Sequence, residues 1–120
     1  MRSAHILPDY AILFISDVDG GEPPDPERDI PFLSTSSCIS FQCSPAVDGG
    51  VTVFLGAQEE ISIARPPAFN GVIATPTRNV IVSTADQEIP LSVDVTTSQT
   101  RVRIWTTGEA WPDRVWIALD

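Results

Sequence analysis

The chain has 120 residues, of which 42% are hydrophobic, which is enough for one ordinary domain and too many for a disordered chain. The chain contains sixteen acidic residues, seven arginines and no lysine, so its net charge is −9. This balance excludes long-range attraction to nucleic acid or to an anionic membrane, whereas a cationic protein partner would be attracted. Alternatively, the negative net charge serves only to keep the protein soluble.

No membrane segment or secretory signal is visible in the sequence. The longest apolar run covers residues 11–15, far short of the roughly 20 residues that a membrane helix needs. The N-terminal residues contain neither a long apolar stretch nor a small-residue cleavage site. We therefore expect a cytoplasmic protein that does not bind membranes.

Alternation of apolar and polar side chains with a period of two dominates the chain and predicts short β-strands. In chain order, strands are predicted at 10–16, 37–43, 51–55, from Ile61, 72–75, 79–84, 89–95, 101–106 and 114–119. The first is apolar on both faces, which is typical of a central strand. Asp48-Gly49-Gly50 predicts a hairpin between the second and third strands, and Asn70-Gly71 predicts a turn before Val72.

Eight or nine short strands separated by turns predict an all-β fold. No window shows helical periodicity, and eleven prolines interrupt any candidate helix. We expect residues 1–120 to form a single domain, a two-sheet antiparallel β-sandwich, with a closed barrel as the structural alternative.

The two cysteines, Cys38 and Cys43, are five positions apart in one predicted strand. They would point to opposite faces, about 16 Å apart at roughly 3.3 Å per residue, which is too far for a disulfide. A zinc site needs more ligands than this pair supplies. We expect two reduced, packed thiols.

Residues 17–31 depart from the strand pattern and predict a long surface loop. The segment contains four prolines, two glycines and six acidic residues, namely Asp17, Asp19, Glu22, Asp25, Glu27 and Asp29. Asp17-x-Asp19-Gly20 resembles the start of a calcium loop, but position 12 counted from Asp17 is Arg28 where a glutamate is required. We therefore expect an anionic loop without a metal.

The residues needed for catalysis are not recognisable. His5 is the single histidine and lies near the N-terminus, and no serine or cysteine occupies a nucleophile-elbow motif. A phosphate-binding loop ending in lysine is impossible without lysine. The sequence predicts a binding protein without a cofactor, not an enzyme.

The C-terminal strand pair predicts a second surface. Val102 and Ile104 alternate with Arg101, Arg103 and Trp105, while Val115, Ile117 and Leu119 alternate with Arg114 and Trp116. If the aliphatic residues face the core, the arginines and indoles lie outside, where tryptophan and arginine are enriched at interfaces. Trp111, in the 107–113 linker, would add to this surface. Alternatively, the residues cover each other, or the acidic loop folds over the arginines.

The order of these features resembles a known family. The match runs through Leu7-Pro8-Asp9-Tyr10, Ile12-Leu13-Phe14, Asp17 with its acidic loop, Ile39-Ser40-Phe41, Val51 to Leu55, Leu91-Ser92-Val93, Arg101 to Thr106 and Val115 to Leu119. This pattern is similar to the ComJ-like family, the competence-locus nuclease inhibitors of Gram-positive bacteria and related small β-sandwich proteins.

The resemblance implies a non-enzymatic inhibitor or immunity protein that acts on a nuclease or toxin, with Asp17 to Asp29 as the inserted element. A cationic nuclease cleft would attract such a loop. One alternative is a small-ligand or carbohydrate-binding module with tryptophan as a stacking platform. Another is a structural homodimer that pairs through the tryptophan–arginine surface.

Overall fold

Ten β-strands form the framework of the computed structural model, which describes residues 1–27 and 29–120. The strands are β1 (Arg2–Ile6), β2 (Ile12–Asp17), β3 (Phe32–Ser34), β4 (Cys38–Gln42), β5 (Val51–Ala57), β6 (Phe69–Ala74), β7 (Asn79–Thr84), β8 (Leu91–Asp94), β9 (Gln99–Thr106) and β10 (Arg114–Leu119). Two 3-10 turns, Ala46–Asp48 and Gln58–Glu60, flank β5. In the part of the chain described, no helix is long and apolar enough to cross a membrane.

The strands form two open sheets of five. Sheet A has the order β1-β5-β10-β9-β6, and sheet B has the order β3-β4-β2-β7-β8. All neighbouring strands are antiparallel except β5 and β10, which run parallel and are connected through β6 to β9. The predicted β-sandwich is confirmed, and the closed barrel is wrong. The apolar strand β2 is central in sheet B, as its sequence predicted.

The core lies between the inner faces of the two sheets. Sheet A contributes Val53 and Ile117, and sheet B contributes Ile15 and Ile39, all without exposed surface. Because side chains alternate along a strand, every second residue of each central strand enters this layer. The remaining residues of the same strands form the outer faces, which carry the candidate sites.

The predicted hairpin at Asp48-Gly49-Gly50 is wrong, because β4 and β5 belong to different sheets. The chain leaves sheet B after β4, makes the 3-10 turn and reaches sheet A through Gly49 and Gly50, with φ angles of 102° and 80°. These left-handed angles favour glycine. Asp48-Gly49-Gly50 therefore does form a turn, but this turn connects the two sheets and not two strands of one hairpin.

Two other local predictions also differ from the structure. Asn70-Gly71 lies inside β6, where a Cβ on Gly71 would come 2.8 Å from Cζ of Phe69, so the glycine serves close packing. The strand predicted from Ile61 is replaced by irregular chain that crosses the outer face of sheet A. Conversely, residues 2–6 form strand β1 at the edge of sheet A, which the polar N-terminal sequence did not indicate.

Both cysteines are free and buried, as predicted. Cys38 begins β4 on the outer side of sheet B, whereas Cys43 lies just beyond the strand and packs in the core. Burial raises the pKa of the Cys38 thiol to about 11 and that of the Cys43 thiol to about 12. Near neutral pH both stay protonated and are therefore poor nucleophiles.

Two valines allow a matched test of this core. Val53→Ala removes a fully buried side chain and should lower the free energy of unfolding by about 2 kcal/mol, through lost burial and the cavity left behind. The same substitution at Val47, which is 89% exposed, should change stability by less than about 0.5 kcal/mol. Urea unfolding followed by tryptophan fluorescence measures both, and equal effects would contradict the placement of Val53.

Candidate protein-binding site

The acidic loop is the segment 18–31, of which residues 18–27 and 29–31 are described, and these lie against the outer face of sheet B. Its first half borders a groove of about 500 Å³ that is also lined by Phe14 of β2 and Cys38 of β4. Its second half borders another groove, of about 390 Å³, that again includes Phe14. The loop therefore extends along the sheet, with Asp19 lining the first groove and Glu27 lining the second.

Hydrogen bonds tether the first half of the loop to the β3–β4 turn. The Glu22 N–H donates to Ser37 Oγ at 2.8 Å, and Thr35 Oγ1 donates to the Glu22 carbonyl at 2.6 Å. A Cβ at Gly21 would lie 2.3 Å from the Ser37 carbonyl oxygen, so the two backbones approach as closely as only glycine permits. The loop is thus held at a defined position.

Asp17 differs from the other acids of the predicted contact set, because its side chain is only 1% exposed. Its carboxylate accepts hydrogen bonds from Thr77 Oγ1 at 2.7 Å and 2.8 Å and from the Thr77 and Asp19 N–H groups at 3.1 Å. The prediction that Asp17 offers a contact to a partner is corrected for this reason: the carboxylate joins the start of the loop to the β6–β7 turn.

The pKa of Asp17 reflects two opposing influences. Burial raises the pKa of this carboxyl, but hydrogen bonds from the Thr77 side chain and from backbone N–H groups, including that of Asp19, lower it by more. The result is a pKa below the ordinary value of 3.8. An ionised Asp17 therefore stabilises the fold.

The other five acids of the loop are exposed. Asp19, Glu22, Asp25, Glu27 and Asp29 all lie at the surface. Within residues 1–27 and 29–120, the ion pairs are those of the N-terminal amine with Glu60 and of Arg103 with Asp120, and neither involves the loop. The loop that borders sheet B thus carries five exposed acidic residues.

The C-terminal strand pair alternates as predicted, but Trp105 is not exposed. Val102 and Ile104 enter the core, and Arg101, Arg103 and Trp105 lie on the outer face of sheet A. Residues 58–68 cross this face, and Ile61 packs on the indole, which is 4% exposed. Trp105 Nε1 donates to the Arg65 carbonyl at 2.8 Å. The prediction of Trp105 as a contact residue is corrected because this segment covers it.

The remaining residues of the tryptophan–arginine surface are partly engaged within the chain. Trp116 is half-buried and stacks on Phe54 with ring centroids 5.8 Å apart. Arg101 donates to Asn70 Oδ1 at 2.8 Å, and Arg103 donates to Gln58 Oε1 at 2.9 Å and lies 3.6 Å from an Asp120 carboxylate oxygen. Arg114 is exposed. The alternative in which these residues cover each other describes this face best.

The two predicted surfaces lie on opposite sides of the sandwich. The acidic loop follows the outer face of sheet B, whereas Arg101, Arg103 and Arg114 project from the outer face of sheet A. The interior of the protein separates them. The alternative in which the loop folds over these arginines is therefore wrong.

Trp111 belongs to the acidic side and not to the tryptophan–arginine surface. It is 51% exposed and lines the second groove together with Glu27 and Ile30 of the loop. Tyr10, 68% exposed, lines the same groove. Tyr10 was predicted as the first residue of the following strand and not as a contact residue, but that strand begins at Ile12. The position of Tyr10 after Pro8-Asp9, a turn sequence, was the available signal.

The single histidine is hydrogen-bonded within the chain. His5 lies on β1, where Nδ1 is 2.9 Å from Thr52 Oγ1 and Nε2 is 2.7 Å from the Gly49 carbonyl oxygen. Both ring nitrogens thus take part in local hydrogen bonds. Among the described residues, no three histidine, cysteine or acidic side chains are grouped closely enough to hold a metal ion.

Comparison with solved structures shows a shared fold. The chain is similar to the crystal structure of ComJ from Bacillus subtilis, described as an inhibitor of the DNA-degrading activity of NucA. The TM-score is 0.73, the match covers 99% of this chain and 94% of ComJ, and 11% of the residues are identical. No family model and no curated protein sequence matches the chain. The predicted resemblance to the ComJ-like fold is confirmed.

Replacement of Asp17 tests the anchor of the acidic loop. Because the folded pKa is lowered, the ionised carboxylate contributes stability above about pH 4 that is lost as the pH falls through the folded pKa. Asp17→Asn should therefore reduce the free energy of unfolding at pH 7 by about 1.5–3 kcal/mol. The difference in free energy of unfolding between wild type and Asp17→Asn should become smaller below pH 3.8, where the carboxyl of wild type is increasingly protonated. Urea unfolding at several pH values measures it.

Asp19→Asn is the matched control, since this side chain is exposed and should leave stability at pH 7 almost unchanged. The prediction is wrong if the difference in free energy of unfolding between wild type and Asp17→Asn does not change with pH. The hydrogen bonds from Thr77 would then not depend on the charge of the carboxylate.

Proposed function

We propose that this protein is a non-enzymatic inhibitor or immunity protein that binds a cationic nuclease or toxin through its acidic loop. The observation that carries the proposal is the set of five exposed acidic residues on the loop that borders sheet B, at Asp19, Glu22, Asp25, Glu27 and Asp29. The shared fold with ComJ, an inhibitor of NucA, supports it.

Electrostatics explains how such a loop would act. A nuclease that cleaves DNA must hold phosphate and therefore presents a cationic cleft. A protein of net charge −9 is attracted to that cleft, and an acidic loop bound there excludes the substrate. The tether at Gly21 and Glu22 reduces the conformational entropy lost on binding. Inhibition of this kind requires no catalytic group.

The same charge governs the other expected interactions. It repels DNA and anionic membranes, so the inhibitor would compete for the nuclease and not for the substrate. We propose a cytoplasmic protein that restrains a nuclease inside the producing cell, as an immunity protein or in a DNA-processing pathway such as competence.

A titration against separated nucleases tests this function. The DNA-degrading enzymes of the producing cells are fractionated by cation exchange, and each fraction is assayed on fluorescent double-stranded DNA with increasing amounts of the protein. Saturable inhibition of a retained, cationic fraction is the expected result. If the protein inhibits none of these fractions at micromolar concentration, the proposed function is wrong.

Charge-neutral variants locate the inhibitory surface in the same assay. Glu27→Gln with Asp29→Asn should weaken inhibition about tenfold, because two charge pairs of about 0.5–1 kcal/mol each are lost. The matched control is Glu59→Gln with Asp94→Asn, which makes the same change in net charge at a groove away from the loop. Equal weakening by both pairs would point to net charge and not to the loop.

Salt dependence separates this proposal from a carbohydrate-binding module. Binding steered by charge should weaken at least about tenfold between roughly 0.05 M and 0.5 M NaCl, because the Debye length shrinks over that range. Stacking of a sugar on the exposed Trp111 should change less than about twofold over the same range. Calorimetric titration of the inhibited nuclease and of a panel of oligosaccharides measures both.

The third possibility, a homodimer through the tryptophan–arginine surface, has less support. That surface keeps Arg101, Arg103, Arg114 and Trp116, but the covered Trp105 leaves its aromatic contact area smaller than predicted. Sedimentation at several protein concentrations distinguishes a dimer from a monomer.

A further inference from the structure

The groove at the end of the acidic loop combines exposed aromatic rings with a carboxylate. Its walls include Tyr10, Trp111 and Ile30, its lining includes Phe14 of β2, and Glu27 contributes the charged group. Tyr10 is 68% exposed, Trp111 is 51% exposed and Ile30 is 40% exposed. Exposed large side chains gathered in one concave place are typical of binding sites, whereas single ones are ordinary surface.

Separate parts of the chain hold this groove in place. The Trp111 segment is fixed by hydrogen bonds from Ser44 N–H to the Pro112 carbonyl and from Thr52 N–H to the Asp113 carbonyl, both at 2.9 Å. On the other side, Cys43 N–H donates to the Ala11 carbonyl at 3.0 Å, next to Tyr10. The aromatic rings are therefore carried by backbone that is already anchored, which favours binding over local rearrangement.

The charge around the groove defines the partner it fits. Glu27 lines it, Asp9 precedes Tyr10, and Asp113 lies two residues after Trp111, all of them exposed. A neutral apolar group bound here would remove water from the Glu27 carboxylate and would form no hydrogen bonds in place of those that water makes. A cationic group avoids that loss and is attracted by the net charge of the chain.

We propose that this groove binds an arginine side chain of a basic protein partner. The guanidinium plane stacks on Trp111, with Tyr10 as the neighbouring wall, and its N–H groups donate to the Glu27 carboxylate. Arginine fits better than lysine because its planar, weakly hydrated head stacks on aromatic rings while it donates to a carboxylate in the same plane. The inference deepens the proposed function, on which it rests for the partner being a cationic protein.

Short blocked peptides test the groove without requiring the nuclease. Hexa-arginine, hexa-lysine and hexa-citrulline are titrated into the full chain, with the Trp111 indole followed by NMR. Hexa-arginine should bind about two- to fivefold more tightly than hexa-lysine, and the uncharged citrulline peptide should bind far more weakly than either. The Trp111 indole signal should shift more than those of the covered Trp105 and the half-buried Trp116.

Variants separate stacking from simple apolar contact. Trp111→Leu keeps an apolar side chain but removes the aromatic face, so the preference for arginine over lysine should disappear. Trp111→Phe should retain most of that preference. Glu27→Gln should weaken hexa-arginine binding more than Glu59→Gln, which makes the same change on another groove. Because Trp111 is exposed, its variants should unfold at the wild-type urea concentration, which verifies that they are folded.

The peptide titrations and the nuclease assay together distinguish failure of the arginine site from failure of the proposed function. If Trp111→Leu binds hexa-arginine as wild type does, or if arginine and citrulline peptides bind equally, the arginine site is wrong. If the peptides bind as expected but no cationic nuclease is inhibited, the proposed function fails and the groove remains a site for arginine. If a nuclease is inhibited equally by wild type and Trp111→Leu, the function stands and this inference is wrong.

Discussion

The apolar layer between the two sheets determines which side chains are available for binding. Because residues alternate along each strand, placing Val53, Ile117, Ile15 and Ile39 in the core forces their neighbours onto the outer faces. A shift of one residue in any strand would exchange the two sets. The positions of the acidic loop and of the arginines on opposite outer faces follow from this single packing arrangement.

The segments between strands then decide which parts of the outer faces remain accessible. Residues 58–68 cross sheet A and cover Trp105, whose N–H group is satisfied by the Arg65 carbonyl. The acidic loop crosses sheet B but leaves grooves along its course, and Asp17 anchors its start to the β6–β7 turn. One face is therefore largely closed by its own chain, while the other combines carboxylates with open apolar surface.

This asymmetry places the candidate contact residues on one side. Trp111 and Tyr10 come from distant parts of the sequence, yet they line one groove with Glu27 of the acidic loop. Aromatic rings beside carboxylates suit a basic partner, since the rings supply contact area and the carboxylates supply attraction. The net charge of −9 is consistent with the same proposed class of partner.

The sequence by itself determined the β-sandwich, the central position of β2, the packed thiols and the surface location of the loop. These properties depend on local periodicity, burial preference and composition, which neighbouring residues already reveal. Only the tertiary structure decided that Asp17 is buried, that Trp105 is covered, and that Trp111 lies beside the acidic loop. Those outcomes depend on contacts between residues far apart in the chain, such as Asp17 with Thr77 and Trp105 with Arg65, which no local pattern encodes.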